Sequence, residues 1–126
     1  MNKIVNTTNA PAPIGPYSQA VIANGFLFLS GQVAINPETG DVIKSSVADE
    51  THQVMRNIKA VLLEAGYGFE DVVKVTIFLS DMDLFAEINE IYGSYFEGNF
   101  PARETLAVKG LPKGVNIEIS VTAYKS

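Results

Sequence analysis

The chain has 126 residues, 47% of them hydrophobic and 18% charged, with a formal net charge of −5 and a pI near 4.7. It has no cysteine and one histidine, His52, which excludes disulfides, a thiolate nucleophile and any Cys- or His-cluster metal site. Its nine lysines and arginines are scattered through an acidic sequence, so nucleic acid is not an expected partner.

The length fits one domain over residues 1–126, large enough to fold without staples. The first thirteen residues carry no apolar core of signal-peptide length, and no run approaches the ~18 apolar residues of a membrane helix. The expectation is a cytoplasmic protein that does not enter a membrane. The low charge fraction suggests that part of its surface is buried in an oligomer.

In chain order, Ala20–Ala23 and Phe26–Ser30 read as two strands of a β-hairpin across Asn24-Gly25, the pair favoured where both turn positions need positive φ. Asn36 to Gly40 reads as a second turn. A helix is predicted from Ser46, with Asp49 completing a capping-box-like start. Val47, Val54, Ile58, Val61, Leu62 and Ala65 form its apolar stripe, and Gly66 stops it. Val73, Val75, Ile77 and Leu79 alternate with polar or outward residues as a half-buried strand. Asp81 or Asp83 caps a second helix with Leu84, Ile88, Ile91, Tyr92 and Tyr95 inward. Two strands close the chain, one around Leu106 and one from Ile117 to Tyr124, and the intervening Lys109 to Gly114 reads as a hairpin connection.

The order is ββ-α-β-α-ββ, an α+β fold with both helices on one face of a mixed sheet. The other face then needs a cover, and a second subunit is the simplest one.

Few residues suggest chemistry. Arg103 offers a guanidinium that can grip a carboxylate through two parallel hydrogen bonds, although a surface ion-pair arginine looks the same in sequence. Glu118 lies between Ile117 and Ile119, so alternation sets it on the opposite sheet face. Enclosed there by a partner, it would have a raised pKa suited to proton transfer; otherwise it is a solvated strand residue. Gly15-Pro16-Tyr17 presents a tyrosine on a rigid turn. Ser30-Gly31 ends an apolar strand, where glycine permits close approach of a ligand or equally a bulge. His52, about 200° from Val54 around the helix, is expected to face solvent.

These segments resemble the Rid family, also called YjgF-type or reactive intermediate deaminases. The resemblance runs through A-P-x-x-I-G-P-Y-S-Q (Ala10 to Gln19), L-S-G-Q with N-P-E-T-G (Leu29 to Gly40), N-I-K-A-V-L-x-x-A-G, V-V-K-V-T-I-F-L, F-P-A-R and L-P-K-G-V-N-I-E-I-S. It covers essentially the whole chain, in order. It implies a chorismate-mutase-like fold whose last strand inserts between earlier ones, and a homotrimer with sites between subunits. It also implies cofactor-free hydrolysis of 2-iminopropanoate and 2-iminobutanoate to keto acids and ammonia.

The family's carboxylate-binding arginine falls on Arg103 and its water-activating glutamate on Glu118. Tyr17, Ser30 and Asn89 match further site positions, with Gly31 offering backbone contacts. The chain departs at Thr105, where many deaminases carry cysteine; a backbone N–H donated to substrate survives that exchange, and a thiol role does not. One allocation of the shared site draws Tyr17 and Ser30 from one chain and Arg103 and Glu118 from its neighbour. The competing functions are a ribonuclease, as reported for some relatives, and a non-catalytic module that binds keto or fatty acids.

Overall fold

The computed structural model describes residues 2–126. Its strands are β1 (Lys3–Val5), β2 (Ala20–Ala23), β3 (Phe26–Leu29), β4 (Val72–Leu79), β5 (Ala102–Ala107) and β6 (Ile117–Tyr124), and its helices are α1 (Val47–Ala65) and α2 (Phe85–Gly93). They form one mixed α+β domain with a six-stranded sheet in the order β1-β2-β3-β6-β4-β5.

The hairpin forms where the sequence places it, with Asn24 and Gly25 both at positive φ, 53° and 86°. α1 starts at Ser46, whose hydroxyl accepts from the Asp49 N–H at 3.0 Å, and ends on Gly66 in the left-handed region. The capping box is half made: the Asp49 carboxylate accepts from the Ser45 hydroxyl instead. Asp81 caps a short 3₁₀ turn, Met82–Leu84, that leads into α2.

Four expectations need correction. β1 precedes the hairpin and pairs with β2, and its three residues are too short to display an alternation. Val73 is 44% exposed rather than inward, because a register shift between Val72 and Lys74 slips it out of the alternation. β5 and β6 are not a hairpin. β5 runs parallel to β4 at the sheet edge, whereas β6 inserts antiparallel between β3 and β4, as the family resemblance implies. Burial explains the difference: Ile117, Ile119, Val121 and Ala123 are all buried, but no residue of β5 is. The fourth concerns His52. It is half-buried, with Nδ1 2.7 Å from the Tyr95 hydroxyl, because the chain leaving α2 packs beside α1 and covers a flank that a single-helix projection leaves in water.

The core lies between the helices and one sheet face, where Val54, Ile58, Val61, Ile77, Leu79, Ile88 and Ile119 are essentially inaccessible. The other face is open and apolar: Ile4, Phe26, Phe28, Leu106 and Tyr124 are each at least 39% exposed. Among the described residues, no helix is long and apolar enough to cross a membrane.

Candidate active site

The predicted site residues fall into two groups on opposite faces of the sheet. Arg103 pairs in register with Val75, a core residue, so its side chain lies on the helix side. There it donates through Nη1 to Asn89 Oδ1 at 2.6 Å, and its guanidinium carbon lies 5.3 Å from the ring centroids of both Phe85 and Tyr92. One side-chain oxygen and two aromatic faces hold the guanidinium by one edge. Its other N–H groups remain for a ligand. Arg103, Asn89, Tyr92, Phe100 and Pro101 line a cleft of about 380 Å³.

Phe85 and Tyr92 were not legible as site residues, since at helical spacing they look like ordinary core aromatics. Burial pushes the Tyr92 hydroxyl above the usual tyrosine range, and the Arg103 charge offsets part of that rise. This hydroxyl and the Thr105 Oγ1 are buried without a hydrogen-bond partner. Thr105 lies two residues beyond Arg103 on the same strand face, opposite Ile77.

Glu118 pairs with Phe78, one step out of phase with the core residues Ile77 and Leu79, and therefore stands on the open face. It cannot meet Arg103 of its own chain, and the allocation of Arg103 and Glu118 to one side of a shared site is overturned. Its actual neighbour is Gly31. Phe28 faces Thr122, but Gln32 faces Ile119. Four steps along one strand thus match three along the other, and the extra residue is a bulge at Ser30-Gly31.

The carboxyl of Glu118 lies directly over the bulge: a Cβ on Gly31 would come 2.8 Å from its Cδ and 3.0 Å from its Cγ. Of the two readings of Gly31 the bulge is observed, and the group that approaches closely is the Glu118 carboxyl, for which the missing side chain makes room. Desolvation in this position raises the Glu118 pKa above its ordinary value.

Tyr17 and Ser30 belong to this second group. The Ser30 hydroxyl donates to Ser18 O at 2.6 Å and its N–H to Gln19 O at 2.9 Å, so Ser30 anchors the loop that carries Tyr17. Tyr17 is 53% exposed and, with Ile14, Gly31 and Gln32, lines a small cavity of about 50 Å³. Gln19, whose role was missed, is 2% exposed. Its amide reaches the carbonyls of Thr7, Ala10 and Pro11 and accepts from the Thr7 N–H, which fixes the preceding loop. A cleft of about 750 Å³ beside Tyr67, Phe69, Phe96 and Lys125 contains none of these residues.

Fold and side-chain geometry together define a small α+β protein with an arginine held by Asn89 and two aromatic rings on one sheet face and a desolvated acid on the other. The chain belongs to the Rid, or YjgF-type, family: the family model described as Endoribonuclease L-PSP matches residues 7–125. It is 52% identical over 125 residues to a RutC family protein of Pyrococcus horikoshii, covering 99% of each chain. It is 43% identical to the mouse 2-iminobutanoate/2-iminopropanoate deaminase, covering 99% of this chain and 93% of that one. The crystal structure of Escherichia coli TdcF with bound serine superposes with a TM-score of 0.94 at 38% identity, covering 98% and 99% of the two chains.

Proposed function

We propose that this protein is a cytoplasmic, cofactor-free deaminase that hydrolyses 2-iminopropanoate and 2-iminobutanoate to 2-keto acids and ammonia, at sites shared between the subunits of a homotrimer. The desolvated Glu118 carboxyl over Gly31 carries this reading, because a base with an elevated pKa is what water activation near neutral pH requires. The mouse deaminase supports the reaction class. TdcF with serine supports a ligand the size of a three-carbon amino acid.

The chemistry follows from the substrate. A protonated imine beside a carboxylate is already electrophilic, so the protein supplies position and a base. Arg103 binds the carboxylate through its outward N–H groups, with Asn89 holding the opposite edge. Glu118 takes one proton from water as the oxygen adds to the imine carbon, giving a carbinolamine. It returns that proton to the nitrogen, the C–N bond breaks and ammonia leaves, while Glu118, again a carboxylate, takes the hydroxyl proton as the keto group forms and then passes it to solvent. Ammonia release from freshly generated 2-iminopropanoate and 2-iminobutanoate tests the proposal, and no acceleration over buffer excludes it.

Since Arg103 and Glu118 stand on opposite faces of one sheet, a complete site takes one from each of two copies. The open apolar face supplies a surface for that association. In a cyclic trimer every interface joins one face of a chain to the other face of the next. Arg103→Ala and Glu118→Gln chains, each inactive alone and co-expressed equally with random assembly, are expected to recover roughly a quarter of wild-type activity. Mixed trimers confirmed by mass but still at the single-mutant floor would exclude a shared site.

Gly31→Ala is the companion test on the Glu118 side. The new methyl collides with the carboxyl, so turnover is expected to fall about 10²-fold in protein that still melts cooperatively. Turnover near wild type would show that Glu118 works from another position.

A further inference from the structure

α1 carries a buried polar stripe that the chemistry above does not use. Glu50, Gln53 and Asn57 are 3%, 8% and 1% exposed, and their 3- and 4-residue spacing puts them on one helix face. Burying a carboxylate is costly unless its oxygens are hydrogen-bonded. Those of Glu50 are. Oε2 accepts from the Asn116 N–H at 2.7 Å and Oε1 from the Asn116 side-chain amide at 3.0 Å.

Asn116 is held from the other side as well. The Ser80 hydroxyl donates to its Oδ1 at 2.9 Å and the Ser80 N–H to its backbone carbonyl at 3.0 Å. At the far end of the stripe, the Asn57 amide donates to the carbonyls of both Val33 and Ile35 at 3.0 Å, and Gln53 donates to Asn57 Oδ1 at 2.9 Å.

The two segments held in this way flank the acid and its glycine. Asn116 lies two residues before Glu118, and Val33 two residues after Gly31. We infer that this stripe, and Glu50 in particular, is the positioning device that seats the Glu118 carboxyl over the Gly31 bulge. The bulge breaks the regular ladder between β3 and β6, and the Gln32–Ile119 pair, whose backbones exchange two hydrogen bonds, rejoins the two chains right beside it. α1 adds a second constraint by gripping the backbone on the outer side of that pair, at Asn116 and at Val33 and Ile35. The inference rests on Glu118 as the water-activating base, and its test includes a readout that does not depend on turnover.

The conservative variant has a sharp expectation. In Glu50→Gln the new amide can donate where Oε1 accepted, provided the Asn116 amide turns over. The Ser80 hydroxyl can then accept instead of donating, so both side-chain bonds re-form in reverse while the Asn116 N–H bond keeps its direction. Glu50→Gln is therefore expected to keep turnover within about twofold of wild type, whereas Glu50→Ala loses both bonds. A misplacement on the order of 1 Å can cost about 10²-fold, and here the loss is expected in kcat with KM nearly unchanged. Asn116→Ala keeps the main-chain bond and should fall between the two.

The independent readout is the titration of the Glu118 side-chain carboxyl, followed by carbon-13 NMR. Its midpoint should move down toward the ordinary carboxylate range in Glu50→Ala and stay in place in Glu50→Gln. A core control in the same helix, Val61→Ala, should leave the midpoint unchanged. Should Glu50→Ala fail to fold, Asn116→Ala decides by the same two measurements. A wild-type midpoint and turnover in the folded variants overturns the inference, as does an equal shift in Val61→Ala. A midpoint that responds as expected in a protein without deaminase activity upholds the positioning and removes the deaminase assignment.

Discussion

Arg103→Ala is expected to lower kcat/KM by about 30-fold to several-thousand-fold while the protein stays folded. Removing one partner of a desolvated charge pair costs about 2–5 kcal/mol, and each 1.36 kcal/mol is tenfold in rate. The fold should survive because Arg103 is exposed on an edge strand with no buried residue. Its loss removes one hydrogen bond to Asn89 and two aromatic contacts, and no part of the core. Arg103→Lys separates charge from geometry. An ammonium keeps the positive charge, but it cannot bind Asn89 through one edge and a carboxylate through the other. It should therefore recover only part of the loss, mainly in KM. Steady-state ammonia release and a thermal melt check both variants. Alanine within about threefold of wild type would remove Arg103 from the carboxylate clamp.

Glu118→Gln is expected to bind a keto-acid product about as well as wild type and to lose about 10²–10⁴-fold in turnover. The amide keeps the shape over Gly31 and lacks the basic oxygen. The same substitution should stabilise the protein. Desolvation raises the Glu118 pKa in the folded chain above its ordinary 4.5, so ionising this group favours the unfolded state. Well below pH 4.5 the carboxyl is neutral in both states and the variant gains nothing. As pH rises through the folded pKa, the wild type gives up the stability that its protonated carboxyl kept, and the neutral amide does not. The Tm difference should thus open in favour of Glu118→Gln as pH rises and then level off. Melts across the acid range check this. A variant less stable at neutral pH would show that the carboxylate is held by favourable contacts, contrary to a desolvated base.

Local chemistry made much of this protein legible in one dimension. Asn24-Gly25 sets its turn because both residues tolerate positive φ, Ser46 and Gly66 bound α1, and the alternation of β6 separates Glu118 from Ile117 and Ile119. These properties depend on residues within a few positions of one another, so the sequence by itself determines them. The place of β6 between β3 and β4 depends on which strand offers the most buried surface to its neighbours. Pairings across dozens of residues leave no local trace, and the hairpin reading from Lys109 to Gly114 failed for that reason.

The site divides along the same line. Residue types pointed to Arg103 and Glu118, but only the register through Val75 and Phe78 revealed that they face opposite ways. Glu50 and Asn57 look like ordinary polar helix positions until α1 is docked on the sheet. Their partners, Asn116 and Ile35, lie 66 and 22 residues away. Side-chain identity is a local property, whereas enclosure, pKa and orientation arise from neighbours that only folding brings together.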